Sequence, residues 1–146
     1  MGEVVVKTKL TNFVDDGMAK RRKLARSKVR SVVVDGIADS GAVTLTIPAS
    51  LAKKLGLVKI GKEFAKYADG HSEEVDVVAG LMVEIGDRRA LCRALVLGDE
   101  VLIGQTVLEE MDYLVDCRNQ RLLPRHAEGP VAMVRRRHTW PIVAVS

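Results

Sequence analysis

The chain has 146 residues and a net charge of +4, with 47% hydrophobic and only 3% aromatic residues. Such a length suits one domain that buries about two-thirds of its unfolded surface, and the hydrophobic share excludes a disordered chain. No apolar run reaches the roughly 18 residues of a membrane helix, no secretory apolar region opens the chain, and Cys92 and Cys117 make neither a disulfide framework nor a metal pair, so the expectation is a soluble cytoplasmic protein with reduced thiols and no cofactor.

Residues 3–10 alternate, with Val4, Val6 and Leu10 on one face and Lys7 and Lys9 on the other, as in a half-buried strand. Residues 11–27 are polar and basic, contain Asp15-Asp16-Gly17, and read as a loop followed by a short helix. A second strand spans 29–38 and runs straight into Asp39-Ser40-Gly41. Apolar residues 43–47 follow; Pro48 then opens, and Gly56 closes, a short helix carrying Leu51 and Leu55 on one face. Residues 58–67 and 73–85 flank Ala68-Asp69-Gly70-His71, and Asp-Gly between extended segments predicts a hairpin with a type I′ turn.

Gly86-Asp87-Arg88 marks the next turn, before a strand at 90–97. An apolar stretch at 101–103 ends at Gly104, and Val107, Leu108 and Met111 share one face of a further short helix. Segments 113–117 and 121–123, turned by Arg118-Asn119-Gln120, close the core. Many short strands with two small helices predict a mainly β fold with an aliphatic core. From Pro124 the chain reads as a tail, so the expected organisation is one domain over residues 1–124 and a C-terminal tail over 125–146.

Basic charge falls in two runs, Lys20-Arg21-Arg22-Lys23 with Arg26, Lys28 and Arg30, and Arg135-Arg136-Arg137. Such clusters can hold phosphates, but no aromatic residues interleave with them. They read as a solvated helical connector and a basic tail, which disfavours a nucleic-acid partner.

The chemistry concentrates at Asp39. An apolar strand delivers its carboxylate, Gly41 permits a sharp turn, the Ser40 hydroxyl can brace the loop, and Ala42 leaves room beside the acid. Asp-Ser-Gly turns are common between strands. Order along the chain adds weight: the Tyr67-Ala68-Asp69-Gly70 hairpin, a candidate lid, comes next, and then Leu102-Ile103-Gly104.

This ordered set resembles the retropepsin-like (clan AA) aspartic proteases, above all their prokaryotic single-domain members. The likeness takes in Thr44-Leu45-Thr46-Ile47-Pro48, Leu55-Gly56-Leu57, Glu74-Val75-Asp76-Val77-Val78, Leu108-Glu109-Glu110-Met111-Asp112 and Arg118-Asn119-Gln120-Arg121-Leu122, and covers about residues 29–124. Ser40 stands where many members have Thr, and Ala38 where a larger aliphatic is usual.

The resemblance implies an acid-protease β-barrel with two short helices, one lobe per chain. It implies Asp39 as the catalytic carboxylate in an active-site loop with Ser40, Gly41 and Ala42. It also implies a flap at Tyr67, Ala68, Asp69 and Gly70, and a substrate pocket at Ile103 and Gly104. Aspartic protease chemistry needs two carboxylates sharing a proton. Asp35 lies on the same strand, roughly 10 Å or more away, and Asp69 and Asp76 lack a Ser/Thr-Gly context, so a homodimer must bring the second Asp39. The implied activity is aspartic endopeptidase action on a peptide or protein substrate, favoured by acidic pH. A weakly active or inactive peptide-binding or dimerisation module is the alternative, with nucleic-acid binding through residues 20–30 behind it.

Overall fold

A computed structural model describes residues 3–132 and 134 of the chain; the basic run 135–137, Trp140 and Pro141 lie outside the described residues. Nine strands are present among them: β1 (Val4–Asn12), β2 (Ser31–Ala38), β3 (Leu45–Ile47), β4 (Val58–Lys66), β5 (Ser72–Ile85), β6 (Arg88–Val96), β7 (Val101–Ile103), β8 (Tyr113–Asp116) and β9 (Arg121–Pro124). Helices α1 (Phe13–Lys20), α2 (Ala49–Lys54) and α3 (Gln105–Glu110) and a 3-10 turn at Arg26–Lys28 complete the chain. The fold is mainly β, as its Val-rich alternation predicts.

Six strands close on themselves in the order β1-β2-β7-β3-β6-β5, with β5 returning to pair with β1. Strand β4 hangs outside this barrel on β5 alone. Closure removes the exposed edges of the six strands. It also gives the inward residues a common interior, where Leu10, Leu45, Ile47, Leu81, Val83 and Ile103 are fully buried. Both phenylalanines are exposed, so the core is aliphatic apart from Tyr113. Strand β5 is bulged between Val78 and Leu81 but stays paired with β6 as far as Asp76, and only its first residues, 72–75, rise with β4 alone.

Several expectations need correcting. The 11–27 segment forms its helix immediately after β1 and its loop afterwards, the reverse of the expected order, and with that helix counted there are three α-helices among the described residues. Asn12 explains that order: its side-chain oxygen accepts from the Asp15 amide at 3.0 Å, an N-cap, while its amide donates to the Leu55 carbonyl at 2.8 Å. The hairpin turn is not type I′, since only Gly70, and neither Ala68 nor Asp69, has positive φ. The Gly70 amide donates to the Tyr67 carbonyl at 2.9 Å and the Tyr67 amide to the His71 carbonyl at 2.7 Å. That is a three-residue loop ending in a left-handed glycine. Strands β8 and β9 form a two-stranded sheet separate from the barrel, yet they close the core as expected, with Tyr113 buried in it and Val115 and Leu122 packed against it. No helix among the described residues is long and apolar enough to cross a membrane.

Acid sensitivity is built into the loops. Asp15 is held below the ordinary carboxylate range by its hydrogen bonds to Arg30, and Asp16 by those to Arg26 and Lys20. Asp116 is lowered in the same way by Asn119. Each favours its charged form when folded, so the stability it adds is complete above about pH 4 and is lost as pH falls through the lowered folded value. Urea midpoints are therefore expected to hold from neutral to mildly acidic pH and to drop below about pH 4. The drop should be smaller in Asp15→Asn.

Candidate active site

Strand β7 lies between β2, to which it is parallel, and β3, to which it is antiparallel. The Asp39 loop joins β2 to β3 and must therefore cross over the end of β7. Hydrogen bonds fix it there. The Asp39 amide donates to the Ile103 carbonyl at 2.9 Å, and the Ala42 amide to the Asp39 carbonyl at 3.1 Å.

Helix α3 supplies the second set of bonds. Gly104 at its N-cap offers no side chain, so the first-turn amides need outside acceptors. The Gln105 amide donates to the Ala42 carbonyl at 2.8 Å and the Thr106 amide to the Val43 carbonyl at 3.0 Å. The Thr106 hydroxyl donates to the Val43 carbonyl at 2.7 Å. The Asp39 loop is thus itself the cap of α3.

This contact dictates Gly104. A Cβ there would sit 2.4 Å from the Thr44 carbonyl oxygen and 2.7 Å from the Val43 carbonyl carbon, both backbone. Gly104→Ala is expected to cost about 3 kcal/mol. It should show as a lowered urea midpoint, with any activity lost beyond the unfolded fraction because the loop is displaced.

Asp39 itself is half-buried, with one carboxylate oxygen accepting from the Gly41 amide at 2.9 Å. Its other oxygen and the exposed Ser40 hydroxyl make no hydrogen bond among the described residues. The brace expected from Ser40 is therefore absent within one chain, and the Asp39 side chain braces the loop instead. A groove of about 440 Å³ opens beside Asp39, lined by Glu3, Ile37, Ser40, Glu100, Leu102 and Cys117 among others.

No family model matches this chain, and neither does any curated protein. Among solved structures it is similar to the foamy viral protease-reverse transcriptase dRH, solved in complex with double-stranded DNA, with a TM-score of 0.43 and 21% identity. The match covers 52% of this chain, which spans 13% of that one.

Ile103 does not line the groove. It is fully buried, with its side chain against Gly36, because residues alternate along β7 and Val101 and Ile103 both point inward. Leu102 takes the outward position and the groove wall. Gly104 is a backbone contact rather than a pocket surface. The flap residues Tyr67, Ala68, Asp69 and Gly70 are all exposed at the hairpin tip, and none of them lines the Asp39 groove. The tip is ordered from within: the Tyr67 hydroxyl donates to Glu73 at 2.8 Å, the Asp69 carboxylate accepts from the His71 amide at 2.8 Å, and the Tyr67 and His71 rings stack at 5.6 Å. Phe64, not singled out from sequence, is the most exposed apolar side chain of this hairpin at 74%.

A buried cation also escaped the sequence reading. Arg88, 2% exposed, donates to the carbonyls of Met111 at 3.1 Å, Asp112 at 2.8 Å and His126. It lies over the Tyr113 ring at 5.2 Å. Met111 is the C-cap of α3, so Arg88 satisfies orphan carbonyls at that end of the helix, where a positive charge is also favoured by the helix dipole. Helix α3 is held at both ends, by Arg88 and by the Asp39 loop. Asp112 extends the cluster to the tail: its carboxylate meets His126 at 2.6 Å and accepts from the Val131 amide at 3.3 Å. Residues 125–131 are therefore docked on the body.

Proposed function

We propose that the chain is an aspartic endopeptidase of the retropepsin-like kind, active as a homodimer whose twofold axis pairs Asp39 with its copy. The observation that carries this reading is the crossing loop. Its acid is fixed by backbone on one oxygen and free on the other, as a dyad member requires. Glu3 and Glu100 also line the groove, but among the described residues neither sits in a crossing loop like that of Asp39, so in this reading the copy supplies the second acid. In this reading the unengaged Ser40 hydroxyl bonds across the same axis.

Two such carboxylates cannot both ionise cheaply, so they share a proton. The ionised one takes a proton from water, which attacks the peptide carbonyl. The protonated one donates to that carbonyl oxygen, and collapse of the tetrahedral intermediate returns a proton to the leaving amine without a covalent enzyme intermediate. The β4–β5 hairpin closes over an extended peptide, pairing with its main chain, and Leu102 and Ala42 contact its side chains. The cytoplasm, which keeps Cys92 and Cys117 reduced, is the compartment this reading favours.

The test is cleavage of a peptide library across a pH series, with a pepstatin-like transition-state mimic as inhibitor. The expected result is acid-favoured, inhibitable cleavage. No product at any pH would sink the endopeptidase and leave a peptide-binding or dimerisation module.

A further inference from the structure

Strands β1 and β2 form an antiparallel pair with Thr11 opposite Ser31, a geometry that two connecting residues can close. The chain spends residues 13–30 on that connection instead. Long connections in compact domains are usually functional. This one lies at the far end of the pair from Asp39, about 23 Å away by strand rise.

Its helix is turned opposite to the usual sense. Asp15, 6% exposed, faces inward, where Arg30 grips it with Nε at 2.8 Å, a second guanidinium nitrogen at 3.0 Å and the backbone amide at 3.0 Å. With about 100° per residue, anchoring that face turns Phe13 and Val14 away from the body, and they are 38% and 58% exposed; Met18, nearer the Asp15 side, is still 40% exposed. Asp16 is occupied by Lys20 and Arg26. Both acids of the segment are thus neutralised internally. Exposed Arg21, Arg22, Lys23 and Lys28 take part in no ion pair among the described residues and follow the helix directly in the chain.

We propose that residues 13–28 dock this protein on an anionic lipid surface, with Phe13, Val14 and Met18 entering the headgroup boundary and Arg21, Arg22, Lys23 and Lys28 meeting the headgroups. Neither signal suffices alone, and stable membrane docking takes two. A phosphate backbone would use the cations and leave the apolar face idle. A folded protein partner needs about 800 Å², more than a helix about 12 Å long presents. The site lies far enough from Asp39 to leave that end free. The proposal does not depend on the proposed hydrolysis.

The experiment is co-sedimentation of the full chain with vesicles of phosphatidylcholine alone and of phosphatidylcholine with phosphatidylserine. Partition into the anionic vesicles only, falling with salt, is expected. Replacing Arg21, Lys23 and Lys28 together with Gln should weaken it about hundredfold, and Val14→Ser with Met18→Ser should weaken it several-fold. All five positions are exposed, and matched thermal melts check that both variants stay folded. Absence of binding to anionic vesicles would overturn the proposal. So would binding that the Ser variant leaves unchanged, or a preference for double-stranded DNA over the vesicles that needs only the cations.

Discussion

Asp39→Asn is expected to leave a folded, dimeric protein whose peptide hydrolysis falls at least ~10³-fold. The amide cannot take a proton from water or donate one as an acid, so a dyad carrying it has neither half of the chemistry. Its size matches, and its oxygen can still accept from the Gly41 amide, so the loop has no reason to move. The loop's other bonds are backbone to Ile103, Gln105 and Thr106 and do not involve the carboxylate. Turnover at saturating peptide, with thermal melts alongside, checks it. A melting change comparable to that of Gly104→Ala would mean that the carboxylate serves the fold instead.

Arg88→Ala is expected to cost about 3–5 kcal/mol and to lower the melting temperature by about 10–20 °C. Three carbonyls lose a charged donor at once, the Asp112 carboxylate loses a neighbouring cation at 3.7 Å, and the long side chain leaves a cavity beneath the Tyr113 ring. The reach of the change separates it from an ordinary core truncation. With the C-terminal carbonyls of α3 released, the helix shifts, and its first turn carries Ala42 and Val43. Hydrogen exchange should therefore rise at the Gln105 and Thr106 amides as well as at Met111. Protection unchanged at the first turn would show that the two ends of α3 act independently.

Local rules made most of the elements legible. Alternation in residues 3–10 gave β1 nearly to the residue, and Pro48 with Gly56 bracketed α2, whose following Gly56 has φ of +61°. Where the reading failed, the deciding contact was distant. Helix α1 starts early because Asn12 is tied to Leu55, and Asp15 turns inward because Arg30 lies across the loop. Arg88 looked like one more exposed turn residue, since nothing nearby in the sequence announces the carbonyls it serves.

At the site, the order of Asp39 and Gly104 along the chain anticipated that the two segments meet, but not that Gly104 would be a backbone contact instead of pocket surface. The exchange of Ile103 for Leu102 on the groove wall was also within reach, because Val101 and Ile103 share one side of a strand. Phe64 could have been found as an aromatic residue on an edge strand that pairs on one side only. That the hairpin tip stands apart from the Asp39 groove was not legible, because it follows from β4 hanging outside the barrel on β5 alone.

Acid chemistry and acid stability meet in a narrow window. The proposed dyad would gain activity as pH falls, while Asp15, Asp16 and Asp116 withdraw their stabilisation below about pH 4. The activity profile should therefore peak in the mildly acidic range and fall below about pH 4 together with the urea midpoint.

Pairing of two Asp39 side chains is measured directly by mixing. Wild type and Asp39→Asn are combined in equal amounts at fixed total concentration, allowed to exchange subunits, and assayed for peptide cleavage. Random pairing leaves about one quarter of the dimers with two Asp39 carboxylates, so activity should fall to about one quarter of wild type. Activity of about one half, the simple dilution of independent chains, would contradict the shared site.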